Sequence, residues 1–250
     1  MSESATSLAF IVTGASRGIG DAIVQELLRR GARVLGAARN PVVSSALQAE
    51  AASGNYQYLR ADVTVEADRI RMIETAKRTF GRIDGVINNA GRAYRARASK
   101  TSLEEFRSLL EINLLAAFGL AQAAYEALRA SRGTVVNVSS VTSRVALPNR
   151  LAYAATKAAL DHFTHCLAVE WGPDGIRVNS VLPWFTRTEM VEKVLEDAAF
   201  EHDLVAATPL GRLAEPADVA RVVAFLALPD SAYVTGQLIA VDGGYLAQGL

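Results

Sequence analysis

Cysteine is almost missing from this 250-residue chain: Cys166 is the single one, so no disulfide can form within it. It stands in an apolar helical stretch beside Phe163 and Leu167, where a buried structural thiol is expected. Neither sign of charge is in excess. Lys plus Arg and Asp plus Glu number 26 each, and the sequence pI is near 6.9. Nucleic acids and anionic membrane surfaces are held by a positive field, so neither is expected as a partner. No apolar run reaches the roughly 20 residues that a bilayer-spanning helix needs. The first seven residues are polar and lack the basic start and apolar core of a signal peptide. A soluble, cytoplasmic protein is the expectation. Half of the residues are hydrophobic and 21% are charged, which suits a compact chain whose core needs neither disulfides nor a structural metal.

Short β-branched runs at 8–13, 33–38, 56–60, 83–88, 134–139, 176–182 and 237–241 alternate with longer segments of helical periodicity. Ile19, Ile23 and Leu27 mark one such helix, with Gly31 placed to stop it. Several of the strand segments are almost continuously apolar, as strands are when helices cover both faces of a parallel sheet. The expected fold is a doubly wound, Rossmann-type α/β sheet of about seven parallel strands, forming a single domain over 1–250. Two helices, near 101–130 and 151–171, are unusually long. The first is rich in small residues (Ala116, Ala117, Gly119, Ala121, Ala123, Ala124), which suits either close packing within the chain or a helix-mediated homodimer or homotetramer.

The first strand runs into Thr13, Gly14, Ala15, Ser16, Arg17, Gly18, Ile19 and Gly20, and then into a helix. Glycines at 14, 18 and 20 let the backbone turn sharply and approach a pyrophosphate, which the N–H groups and dipole of the helix start attract. A carboxylate at the tip of the second strand would bind a ribose 2′-hydroxyl and select NAD. This chain has Ala37, Ala38, Arg39 and Asn40 there instead. Arg39, with Arg17, suits a 2′-phosphate, so NADP(H) is expected over NAD(H). Asp62 and Val63 follow the third strand, where the carboxylate either meets an adenine or serves the start of the next helix.

Tyr153 and Lys157 are four residues apart, on one face of a helix. A tyrosine near pH 10 is a poor base at neutral pH, and a nearby ammonium favours its phenolate. Asn113 lies in an apolar helical stretch and must find buried partners. Asn89, Ala90 and Gly91 close the fourth strand, and Ser139 and Ser140 end the fifth at the edge where open α/β sheets bind ligands.

Taken together, the 13–20 loop, residues 88–91, Asn113, the Ser140, Tyr153 and Lys157 set, and Asp242, Gly243 and Gly244 near the end resemble the short-chain dehydrogenase/reductase family over nearly the whole chain. The resemblance implies an NADP(H)-dependent oxidoreductase that moves hydride between the nicotinamide and a carbonyl or alcohol carbon. Tyr153 would be the general acid or base, and Ser140 would orient the carbonyl oxygen, leaving Ser139 structural. Lys157 would lower the tyrosine pKa and hold the ribose, and Asn113 would support a water in a proton relay. It also implies cofactor contacts from Gly14, Ser16, Arg17, Gly18, Ile19, Gly20, Arg39, Asp62, Val63, Asn89, Ala90 and Gly91, and from Tyr153 and Lys157 as well. Pro183, Thr186 and Thr188 would add a nicotinamide clamp. Trp184 departs from the family, which usually has glycine there; Ser143 replaces a common glycine.

Tyr94, Val145, Leu147, Trp184 and Phe185 are expected to line a largely apolar substrate pocket with Arg95 and Arg97 at its rim, although Trp184 and Phe185 could also simply pack into the core. A lid is expected over 184–204. The general outline is similar to tropinone-reductase-like members, so an apolar or cyclic ketone, with or without nitrogen, is the first expectation. A 3-oxoacyl carrier-protein reductase, with Arg129 and Arg132 meeting an acidic carrier, is an alternative. A non-catalytic NADP(H) sensor on the same fold is another. His162, His165 and His202 lack a carboxylate cluster, and no metal is expected.

Overall fold

The computed structural model describes residues 8–40 and 45–248. Strands β1 (Ala9–Thr13), β2 (Arg33–Ala38), β3 (Tyr56–Arg60), β4 (Gly85–Asn88), β5 (Thr134–Val138), β6 (Arg177–Pro183) and β7 (Leu238–Val241) form one sheet in the order β3-β2-β1-β4-β5-β6-β7. Every neighbouring pair is parallel. Successive side chains on a strand point to opposite faces. In β1, Ala9 and Ile11 therefore join one core, while Phe10 and Val12 join the other. Helices α3 (Glu66–Phe80), α5 (Ala116–Ser131) and α6 (Leu151–Trp171) cover the first core. Helices α1 (Gly18–Arg29), α2 (Ser45–Ala52) and α9 (Pro216–Ala227) cover the second. The doubly wound sheet expected from the sequence is present, with all seven strands found within a residue or two of the expected bounds.

The chain leaves β1 toward β2 on one side and reaches β4 on the other. The carboxyl ends of β1 and β4 therefore diverge and open a crevice, the usual ligand position in such sheets. A third, smaller core lies beyond the β6 end. It joins Leu182, Trp184 and Leu213 to Leu204 of α8 (Ala198–Ala206). Helix α7 (Glu189–Leu195) precedes α8 and contributes Leu195.

Helices α4 (Leu103–Leu110) and α5 are joined by a π-helical turn, Glu111–Leu115, into one helix of 29 residues. An 18-residue stretch of it, with a mean hydropathy of 1.2, is long and apolar enough for a membrane span, but Ala116, Leu120, Ala121, Ala124 and Leu128 form part of the first core. Cys166 is exposed rather than buried. Leu167 and Ala168 turn to the core, and at 100° per residue Cys166 falls on the outer face with His162, His165 and Val169.

A seam of polar groups fixes α6 to the sheet. Asn88 Nδ2 donates to Asn137 Oδ1 at 2.9 Å, Asn137 Nδ2 donates to Thr164 Oγ1 at 2.9 Å, and Thr164 Oγ1 donates to the Leu160 carbonyl at 2.9 Å. Asn137 and Thr164 are wholly buried. Asn137→Ala strands groups on both sides and is expected to cost about 1–3 kcal/mol in urea unfolding. A loss below about 0.5 kcal/mol, typical of a surface change, would contradict that role.

Candidate active site

The glycine loop needs its glycines for stated reasons. Gly14 and Gly18 have φ of 66° and 57°, in the left-handed region that side chains disfavour. A β-carbon on Gly20 would lie 2.0 Å from the Gly14 carbonyl oxygen. The Asn89 side chain braces this loop from β4, donating from Nδ2 to the Thr13 carbonyl at 2.9 Å. The Thr13 hydroxyl accepts from the Asn89 and Ala90 N–H groups, both at 3.1 Å. The first and fourth strand ends are thus tied together beneath the crevice.

One continuous cleft runs over this brace. Its walls include Gly14, Ser16, Arg17, Gly18, Ile19, Gly20, Arg39, Asp62, Val63, Asn89, Ala90, Gly91, Pro183, Thr186 and Thr188, together with Ser140, Tyr153 and Lys157. The glycine cradle, the helix start behind it and the donors at both ends fit an extended dinucleotide. Asp62 accepts from the Thr64 N–H and hydroxyl, at 2.9 and 2.7 Å. Burial opposes its charge, but those bonds and the Arg39 guanidinium outweigh it and hold the carboxyl below the usual range. Arg17 forms an ion pair with Glu189 of α7 at 2.6 Å, linking the glycine loop to the segment above it.

Ser140, Tyr153 and Lys157 meet at the inner end of the cleft. Ser140 lies two residues beyond β5, at the start of the turn Val141–Ser143, and its hydroxyl oxygen accepts from the Thr142 N–H at 3.2 Å and the Thr142 hydroxyl at 3.0 Å. Its neighbour Ser139 donates to the Lys157 carbonyl and takes a bracing position. Lys157 Nζ donates to the Val138 carbonyl at 2.8 Å and lies 5.8 Å from the Tyr153 ring centre. Burial lowers the Lys157 ammonium to about 8, against the carboxylate of Asp161 one turn further on. Burial pushes the Tyr153 phenol above its usual range, and the groups pulling it back are the Ser140 hydroxyl and the Arg150 guanidinium.

Asn113 sits in the π-helical turn, 2% exposed, and behind the cleft rather than in its wall. Its oxygen accepts from the Arg92 N–H at 2.9 Å, and its nitrogen donates to the Arg92 carbonyl and the Thr156 hydroxyl, each at 3.1 Å. It joins the irregular segment that follows Gly91 to the helix that carries Tyr153.

Of the expected pocket residues, Leu147, Trp184 and Phe185 line the cleft, whereas Tyr94 and Val145 do not. The tight turn at Val141–Ser143 presents Val141 and Thr142 instead of Val145. The chain beyond Ala93 runs outward and is tied by the Ala96 N–H to the Asn149 carbonyl at 3.0 Å, which carries Tyr94 away. Trp184 borders the cleft and packs as well: its ring stacks on Tyr245 at 3.7 Å, and Nε1 donates to the Thr208 hydroxyl at 3.1 Å. Arg129 and Arg132 end α5 just before β5 begins, at the sheet edge opposite the cleft, and Arg129 pairs with Glu126 at 2.9 Å. The proximity on which carrier-protein recognition depended is therefore absent. His162 and His165 lie edge-on, 6.3 Å apart, on the outer face of α6.

Arg150, Asp161, Asn137 and Thr13 were given no role of their own from the sequence. Helical spacing marks two of them, since 150, 153, 157 and 161 share one face of α6. For Thr13 and Asn137, no sequence signal separates them from ordinary strand residues.

A family model described as enoyl-(acyl carrier protein) reductase matches residues 14–246. The chain is 41% identical over 247 residues to a tropinone reductase homologue of Arabidopsis thaliana, covering 96% of this chain and 92% of that one. A gluconate 5-dehydrogenase from Burkholderia cenocepacia, solved in complex with NADP and tartrate, matches with a TM-score of 0.90 at 31% identity, covering 97% of this chain and 96% of the other. The aldohexose dehydrogenase of Thermoplasma acidophilum matches with a TM-score of 0.88 at 28% identity, over 97% and 95% of the two chains. Fold and site define an NAD(P)-dependent oxidoreductase acting on CH–OH and C=O groups. The chain belongs to the short-chain dehydrogenase/reductase family.

Asp161 is 5% exposed, accepts from the Ser180 hydroxyl at 3.3 Å and favours the charged form of Lys157. Ketone reduction is therefore expected to decline as pH rises through about 8, where Lys157 loses its proton. In Asp161→Asn that alkaline limb of kcat/KM should move to lower pH. An unmoved limb would show that the carboxylate does not act on the lysine.

Proposed function

We propose that the protein is an NADP(H)-dependent carbonyl reductase that reduces a small ketone, or oxidises the corresponding alcohol, with Tyr153 as general acid or base. The convergence of Ser140 and Tyr153 beside Lys157, at the inner end of a cleft that begins at Arg39, carries this reading. NADP(H), held along the glycine loop, Arg39, Asp62, the residues 89–91 and the segment from Pro183 to Thr188, would supply or accept the hydride. The chain's own residues handle the oxygen. Ser140 holds it and Tyr153 gives it a proton, and burial keeps that phenol protonated until called on. Lys157 binds the ribose and keeps positive charge near the phenol.

Preference for NADP(H) is supported by the absence of a carboxylate at the β2 tip, where Ala37, Ala38, Arg39 and Asn40 all border the cleft. The NADP in the Burkholderia gluconate 5-dehydrogenase is in keeping with it. Leu147, Trp184 and Phe185 give the substrate end an apolar wall, and helices α7 and α8 serve as its lid. Leu115, Phe118, Leu151 and Val169 leave an exposed apolar face on the long helices. That face supports pairing of identical chains into a homodimer or homotetramer.

The reading is tested by following NADPH and NADH oxidation over a set of ketones. Turnover is expected with NADPH ahead of NADH. Arg39→Asp should weaken NADPH relative to NADH by about tenfold or more, the worth of a charge-assisted hydrogen bond. An unchanged ratio would remove Arg39 from cofactor selection.

A further inference from the structure

The substrate end of the cleft carries a positive charge that no carboxylate pairs with among the described residues. Arg150 stands at the start of α6, one turn before Tyr153, and lines the cleft beside Ser140, Leu147 and Tyr153. Four arginines border the cleft. Arg17 is paired with Glu189, and Arg92 is paired with Glu105 at 2.6 Å. Arg39 lies at the far end near Asp62. Arg150 has no ion pair and no side-chain hydrogen bond among the described residues. The carboxylates bordering the cleft are Asp62 and Glu189, both committed toward the cofactor end.

Arg150 is half-buried, so its charge is partly stripped of water without a partner to replace it. Burial lowers its pKa, Tyr153 opposes that shift, and the guanidinium of Arg95 acts in the same direction as burial. Arg95 lies on the loop that the Ala96–Asn149 hydrogen bond ties to the start of α6, and its guanidinium sits 5.6 Å over the Phe200 ring of α8. Arg95 is therefore close enough to oppose the Arg150 charge but lies outside the cleft wall, against α8, which leaves Arg150 as the cation that faces the cleft beside Tyr153.

We infer that the substrate is a ketone or secondary alcohol bearing a carboxylate a few bonds from the reacting carbon, and that Arg150 binds that carboxylate. This rests on the oxidoreductase reading given above and adds the substrate class. Arginine suits the role because its planar fork matches two carboxylate oxygens. Arg150 caps the helix that carries Tyr153 and lines the same end of the cleft, so a molecule held by both has its carboxylate a short distance from its carbonyl. The same charge repels an ammonium group. It thereby disfavours those nitrogen-containing cyclic ketones, left open by the sequence, whose nitrogen is a basic amine and so a cation at neutral pH.

The test is calorimetric titration of the NADP-loaded protein with levulinate and with levulinamide, which differ in charge and little in shape. Levulinate is expected to bind about tenfold or more tightly than the amide. Arg150→Met should bring the two together, and Arg150→Lys should restore part of the difference. Equal affinity for acid and amide, including no binding of either, or a preference that survives in Arg150→Met, would overturn the assignment. Reduction of neutral ketones that depends on Tyr153, alongside no acid preference, would remove the carboxylate and leave the oxidoreductase standing. Acid-selective binding without turnover of any ketone would do the reverse.

Discussion

Helix α6 carries Tyr153, Lys157 and Asp161 on one face, and its position is set by hydrogen bonds that water does not reach. Asn88, Asn137 and Thr164 form the seam, with Ser139 and Ser180 bonding to the same helix on either side. Such bonds are directional, and each costs more to leave unmade than it returns when formed. Apolar packing alone would hold α6 against the sheet but would tolerate small shifts along its axis. The seam removes that freedom. Ser140 follows the end of β5 and Tyr153 rides the helix, so their juxtaposition follows from the register of one on the other. Asn113 extends the same constraint to the cofactor side, since its bonds to Arg92 and Thr156 tie the residues after Gly91 to α6.

Electrostatics divide the cleft into two ends. At the outer end, Arg39 and the N-terminus of α1 make a positive environment for phosphates, with Asp62 kept ionised beside them. At the inner end, a buried lysine and a half-buried arginine flank a phenol whose own burial opposes ionisation. The phenol is poised as a donor of a proton, and the surrounding cations favour the anion that donation leaves behind. Asp161 belongs to this balance from beneath, since without it the lysine would lose its charge more readily.

Much of this was legible in the sequence. Seven β-rich segments separated by helical periodicity fix a parallel sheet, because strands buried on both faces must be apolar throughout. Gly14, Gly18 and Gly20 are identifiable because a phosphate-approaching turn tolerates nothing larger. Tyr153 and Lys157 stand out by spacing, and the family resemblance joins them to Ser140. What the sequence concealed depends on direction. Cys166 sits among apolar residues yet faces outward, since a single helical step separates the buried from the exposed face. Val145 and Tyr94 are close to the site in sequence, but a tight turn and one backbone hydrogen bond carry them away from the cleft. Arg129 and Arg132 lie at the wrong end of the sheet, a fact that strand direction settles and composition does not. Arg150 could have been found by counting one turn back from Tyr153, but its lack of a partner is visible only when every nearby carboxylate has been placed.

The central claim is that Tyr153 gives its proton to the substrate oxygen while playing no large part in holding the cofactor. Tyr153→Phe keeps the ring and removes the hydroxyl. NADPH binding, followed by the fluorescence of the bound nicotinamide, should stay close to wild type, while turnover of the best ketone falls by about a hundredfold or more, the range for loss of a general acid. Turnover within a few-fold of wild type in that variant, with NADPH still bound, would contradict the account.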